Sequence, residues 1–117
     1  LYANTTGADN VAIGAYTLDA NTTSSNNVGV GYHVLTQQLT GTENTSMGAY
    51  STDALTYGSR NTAVGASALG ALNHTNSSGG EASDNCAFGR NSLKNATLIA
   101  KYVLENNFTA SASFELI

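Results

Sequence analysis

The chain has 117 residues, a mass of 12.0 kDa and a formal net charge of −4, enough for one small domain. Four Lys plus Arg against eight Asp plus Glu leave no basic footprint for nucleic acid, and a single cysteine, Cys86, excludes a disulfide framework and a Cys-based zinc site. Asn, Thr and Ser supply 41 residues, Pro and Trp are absent, and the aliphatic runs are no longer than Leu98-Ile99-Ala100, so no membrane insertion is expected.

Taken in chain order, residues 1–9 read as the tail of a coil already under way. Leu1 stands in a column that Leu18, Leu35, Leu69 and Leu93 later fill, and Thr5-Thr6-Gly7-Ala8-Asp9 is turn-like. The chain thus begins in mid-repeat, as a piece of a longer array. Asn10-Val-Ala-Ile-Gly14 opens the first full repeat, and Asn27-Val-Gly-Val-Gly31, Asn44-Thr-Ser-Met-Gly48 and Asn61-Thr-Ala-Val-Gly65 follow at intervals of 17. Asn85-Cys-Ala-Phe-Gly89 comes after 24, one period plus a seven-residue insertion. With Gly at 12 of 117 positions, five such matches by chance are on the order of one in 10⁵, so the period is real.

Within each anchor the residues alternate. Positions two and four are Val11/Ile13, Val28/Val30, Thr45/Met47, Thr62/Val64 and Cys86/Phe88, apolar or β-branched in the main, and they share one strand face. The position between them is always small: Ala12, Gly29, Ser46, Ala63, Ala87. This pattern predicts that positions two and four fill each coil together with the Leu column, with Cys86 in a buried wall position. The small column then marks close contact with another copy of the chain. The Gly suits a corner that needs positive φ. The next four residues form a second extended piece ending at the Leu column, where Thr52 replaces Leu. Two short strands and two turns per 17 residues describe one coil of a parallel β-solenoid, an all-β fold. Coils stacked about 4.8 Å apart make some six coils into a rod roughly 30 Å long. Asn10, Asn27, Asn44, Asn61 and Asn85 are expected to form a ladder that bonds neighbouring coils, with Gly14, Gly31, Gly48, Gly65 and Gly89 at the corners. So narrow a coil buries little relative to the entropy of ordering it, which points to a homo-oligomer.

The phrases Asn61-Thr-Ala-Val-Gly-Ala-Ser-Ala-Leu69 and Leu39-Thr-Gly-Thr-Glu-Asn-Thr-Ser-Met-Gly48 resemble the repeats of bacteriophage tail fibres and tail spikes. Asn10-Val-Ala-Ile-Gly14 is similar to the head repeats of YadA-type trimeric autotransporter adhesins. The resemblance covers residues 1 to about 97 and implies a left-handed parallel β-roll, three identical chains about one axis, and attachment to a cell surface. It implies a virion or bacterial surface location, a host glycan or protein receptor, and neighbouring fibre domains as partners. Coils of this kind serve as shaft, head or spacer, so the motifs specify architecture more than function.

The solenoid domain is expected over 1–97, with coils starting near 10, 27, 44, 61 and 85, and a non-repeat cap or connector over 98–117. In the latter, Leu98, Ile99, Tyr102 and Val103 sit at helical spacing, and Phe108 to Leu116 alternate as in a half-buried strand. The insertion His74-Thr-Asn-Ser-Ser-Gly-Gly-Glu81 is a surface loop or a receptor-contacting one.

Chemistry finds little purchase. His33 and His74 fall in different coils without recurring acidic or thiol partners, so neither metal nor cofactor is expected. The acids lie mostly in turns, and Asp19 and Asp53, which share a column, are two coils apart, against a glycosidase pair. Gly29-Val-Gly31 has no nucleotide-binding context. Tyr16, His33 and Tyr50 share a column beside Tyr32, as a wall stripe or as an exposed stacking platform. With His74 and Asn76 these three are the candidate receptor contacts. Seven Asn-x-Ser/Thr sequons follow largely from composition. The expected function is a non-catalytic, receptor-presenting segment of a trimeric fibre. The alternative is a subunit of an extracellular structural filament. The ragged Thr columns argue against an ice-binding face.

Overall fold

The computed structural model describes residues 1–72 and 82–95. Five three-residue strands form one parallel sheet in chain order: β1 (Val11–Ile13), β2 (Val28–Val30), β3 (Thr45–Met47), β4 (Thr62–Val64) and β5 (Cys86–Phe88). Val11 pairs with Val28, Val28 with Thr45, Thr45 with Thr62, and Thr62 with Cys86. The described residues therefore form an all-β solenoid in which each strand heads one coil. The extra residues before β5 leave the register unchanged. The helix and the alternating strand expected in the C-terminal segment lie outside the described residues.

Each strand is short because a Gly in positive φ closes it. Gly14, Gly31, Gly48, Gly65 and Gly89 hold φ between 117° and 141°. The expected second strand does not form. Beyond the corner, two further columns adopt the left-handed conformation: Tyr16, His33, Tyr50, Ser67 and Asn91, then Leu18, Leu35, Thr52, Leu69 and Leu93. A third such column, Asp9, Asn26, Glu43, Arg60 and Asp84, precedes the ladder Asn. Left-handed residues turn the chain too sharply for extended pairing. Their backbone groups nonetheless bond from coil to coil, as in Leu18 N–H to Val34 O at 2.9 Å and Tyr50 N–H to Tyr32 O at 2.8 Å. Such residues cost about 1 kcal/mol or more each, and the inter-coil bonding holds them in place.

The inside and outside of the strands are reversed from the sequence expectation. The small column points inward: Gly29, Ser46, Ala63 and Ala87 are buried and Ala12 is half-buried. Positions two and four point outward: Val11, Ile13, Met47 and Phe88 are 44, 59, 41 and 79% exposed, and Cys86 is exposed too. The reason is the narrowness of the coil. Leu18, Leu35 and Leu69 reach across from the opposite wall and fill the interior up to the strand. A Cβ on Gly29 would lie 2.6 Å from Thr17 Cγ2 and 3.7 Å from Leu18 Cγ. Only a small side chain fits against that layer, so the larger residues of the strand must face out.

A further interior column, Asn21, Gln38, Leu55 and Leu72, is wholly buried. The core proper is Leu18, Val34, Leu35, Leu55, Leu69 and Leu72 with Ala63, Ala68, Ala82 and Ala87. In the third coil, where Thr52 replaces Leu, Ser46 occupies the small column. Its Oγ lies 2.6 Å from both Ser51 Oγ and Thr52 Oγ1, so the two departures satisfy one another.

Candidate binding surface

The ladder Asn residues form a continuous internal column. Asn27 donates its backbone N–H (3.0 Å) and Nδ2 (3.2 Å) to Asn10 Oδ1. Asn44 does the same to Asn27, Asn61 to Asn44, and Asn85 to Asn61, at 2.9–3.2 Å. Each Nδ2 also reaches a backbone carbonyl: Ser24 from Asn10, Gly41 from Asn27, Gly58 from Asn44, Ala82 from Asn61 and Ser83 from Asn85. Asn27, Asn44, Asn61 and Asn85 are buried, so this column holds coils together and does not present them to a ligand. In its last described rung, Asn85 Oδ1 is buried with no hydrogen-bond partner among the described residues.

The aromatic column is on the outside. Tyr16, Tyr32 and Tyr50 are 53, 44 and 45% exposed. His33 lies between Tyr16 (centroids 4.7 Å apart, 33°) and Tyr50 (5.5 Å, 17°), so the three rings run up the column. Tyr32 meets Tyr16 and Tyr50 edge-on at 5.9 and 5.5 Å. The rings of this column are thus stacked on one another and partly exposed. The coil spacing makes it: residues 17 apart sit one rung apart, and the shared left-handed backbone aims them alike.

The stack stops at the fourth coil, where the column holds Ser67. The neighbouring column, Asp19, Thr36, Asp53, Gly70 and Lys94, also loses its side chain there, at Gly70. Both columns shrink on the same rung and leave a cleft of about 360 Å³ lined by Tyr50, Asp53, Ser67, Gly70, Ala71 and Lys94. Sequence reasoning took the aromatic column but missed this gap. Its signal was available in the coincidence of Ser67 and Gly70 within one repeat.

A second surface is the strand face itself. The ten outward strand positions carry no charge and include Val11, Ile13, Val28, Val30, Met47, Val64 and Phe88. On a separate edge, Arg60 bridges the fourth and fifth coils through a two-pronged contact with Asp84, Nε to Oδ1 at 2.6 Å and an Nη to Oδ2 at 2.9 Å. The hydrogen bond to Asp84, its charge and that of Glu43 hold the Arg60 pKa above its ordinary value. Among the described residues no three His, Cys, Asp or Glu side chains gather as a metal site would require. His74 and Asn76 lie outside the described residues. Comparisons with family models, curated proteins and solved structures return no match for this chain.

Proposed function

We propose that the chain is a non-catalytic segment of a trimeric fibre, of the phage tail fibre, tail spike or bacterial adhesin kind, that presents or contributes to a receptor-binding surface. The observation that carries this reading is the uncharged, largely apolar strand face, repeated rung by rung. Contiguous exposed apolar surface marks an interaction site. A second copy of the chain offers the same residues at the same rung spacing, so identical coils meet in phase. The packing face is thus the one bearing Val11, Ile13, Met47 and Phe88, in place of the small column. The three-fold number, the left-handed winding and the extracellular or virion-surface setting come from the repeat resemblance. The exposed aromatic stack supports the adhesive part of the reading.

Sedimentation velocity tests it: the expected mass is three times the 12.0 kDa chain mass. In the assembly Cys86, exposed on the single chain, lies on the packed face and becomes slow to react with a thiol reagent. A stable monomer with a fast-reacting Cys86 refutes the proposal.

The filament alternative has one observation in its favour. The strand register and the Asn-to-Asn bonding repeat unchanged from the first rung to the fifth, so nothing in the stacking itself sets the number of rungs. End-to-end stacking of this kind gives concentration-dependent polymers visible by negative-stain microscopy.

A further inference from the structure

We infer that the cleft at the fourth coil is a subsite for one neutral hexopyranose ring, stacked on the free face of Tyr50. This deepens the receptor-binding reading and rests on it. His33 covers one face of Tyr50 in a nearly parallel stack, with ring planes 17° apart. The other face looks along the column toward Ser67, whose hydroxymethyl group leaves the ring-sized space of that rung unfilled. A ring placed there sits about 4.8 Å above Tyr50, one rung on, within the roughly 4.5–7 Å spacing of ring contacts. A hexopyranose presents an apolar C–H face, which suits the electron-rich face of an aromatic ring.

The cleft's rim fits the other half of such a ligand. Asp53 lies one rung below the gap and Lys94 one rung above, in the column whose middle member is Gly70. No ion pair joins them, and neither side chain has a hydrogen bond among the described residues. A carboxylate accepts from hydroxyls and an ammonium donates to them. Sugar hydroxyls do both, so one ring can engage the two rims. A volume of about 360 Å³ accommodates one ring, at the small end of the roughly 300–1,000 Å³ typical of ligand sites. Asp53 and the net charge of −4 disfavour acidic sugars and phosphates.

The test is saturation-transfer NMR with the methyl glycosides of glucose, galactose, mannose and N-acetylglucosamine, together with amide shift perturbation on the intact chain. At least one is expected to bind with a Kd on the order of 1 mM. Saturation should concentrate on the C–H protons of one sugar face, with shifts confined to Tyr50, Ser67, Gly70 and Lys94. Ser67→Tyr completes the ring column and should abolish the binding. It is safe for the fold, because Tyr16 and Tyr50 hold Tyr in the same column at φ 59° and 60°, and Ser67 is at 58°. Asp53→Ala should weaken it about tenfold or more. No binding by any of the four, or binding unchanged in Ser67→Tyr, overturns the inference. If none of the glycosides binds while the chain sediments as a trimer, the subsite is refuted and the fibre reading stands. A monomer that binds none of them refutes both.

Discussion

Asn44→Ala removes the middle of the internal ladder, and its cost can be worked bond by bond. Asn44 Oδ1 accepts from the Asn61 N–H at 3.0 Å and from Asn61 Nδ2 at 2.9 Å. Its own Nδ2 donates to Gly58 O at 2.9 Å and to Asn27 Oδ1 at 3.2 Å. Asn27 Oδ1 keeps the Asn44 N–H and Gln38 Nε2, and Asn61 Nδ2 keeps Ala82 O. The Asn61 N–H and Gly58 O lose these bonds inside a closed core. Each buried polar group left without a partner costs about 1–3 kcal/mol, so the substitution costs about 2–6 kcal/mol. A small domain is stable by only about 5–15 kcal/mol, so the loss shows clearly in chemical denaturation followed by far-UV circular dichroism. Asn85→Ala is the control. Its Oδ1 has no partner among the described residues, so deletion removes an unsatisfied acceptor along with two donor bonds, and the net change is expected to stay within about 1 kcal/mol. Equal costs at the two positions, or a cost below about 1 kcal/mol at Asn44, would show that the ladder does not hold the stack.

Gly65 and Gly89 separate two effects that usually travel together. Both hold left-handed φ, +130° and +121°, but an added Cβ at Gly65 would come 2.5 Å from the Gly89 carbonyl carbon, whereas at Gly89, among the described residues, it meets only Ser92 Cβ at 4.0 Å. Gly89→Ala should cost about 1–2 kcal/mol from φ alone, and Gly65→Ala should prevent the coils from closing, as judged by loss of the cooperative melt. Ser46→Ala breaks the bonds to Ser51 Oγ and Thr52 Oγ1 and should cost about 1–3 kcal/mol. Adding Ser51→Ala and Thr52→Leu together should recover it, since that coil then matches Ala63, Ala68 and Leu69 of the next, and a mutant cycle without coupling contradicts this. Phe88→Glu places a charge on the proposed packing face and should convert the oligomer to monomer in sedimentation with little change in fold. Arg60→Ala should destabilise measurably only at low ionic strength, because the pair is 55 and 43% exposed, and the difference should vanish by about 1 M salt. The raised Arg60 pKa means that the guanidinium's side of the pair is lost as pH rises through the strongly alkaline range.

The period, the strand positions and the ladder column were all legible in the sequence, because each is a spacing. Which way the strands face was not. Alternation shows that Val11 and Ile13 share a side opposite Ala12, but not which side is interior. That depends on what the far wall contributes, and Leu18, Leu35 and Leu69 fill the space first. The habit of placing larger apolar residues inside fails when the cavity is one layer thick. The buried Asn21, Gln38, Leu55 and Leu72 column was missed for a related reason: it changes from amide to aliphatic along the chain, so hydrophobicity does not mark it. The second extended piece failed because three left-handed residues per coil have no signature in residue type; Tyr, Leu, Thr, Arg and Asp all adopt it here. The fourth-coil cleft is an absence, visible only once the columns are laid side by side.

The step from β4 to β5 takes 24 residues where the others take 17, yet Asn85 bonds Asn61 at 3.0 Å just as Asn61 bonds Asn44. The stack therefore counts coils and is indifferent to residues. A solenoid built this way can take extra residues between two strands without disturbing the pairing of the rungs on either side. Surface novelty and axial integrity become separate traits that selection can adjust independently.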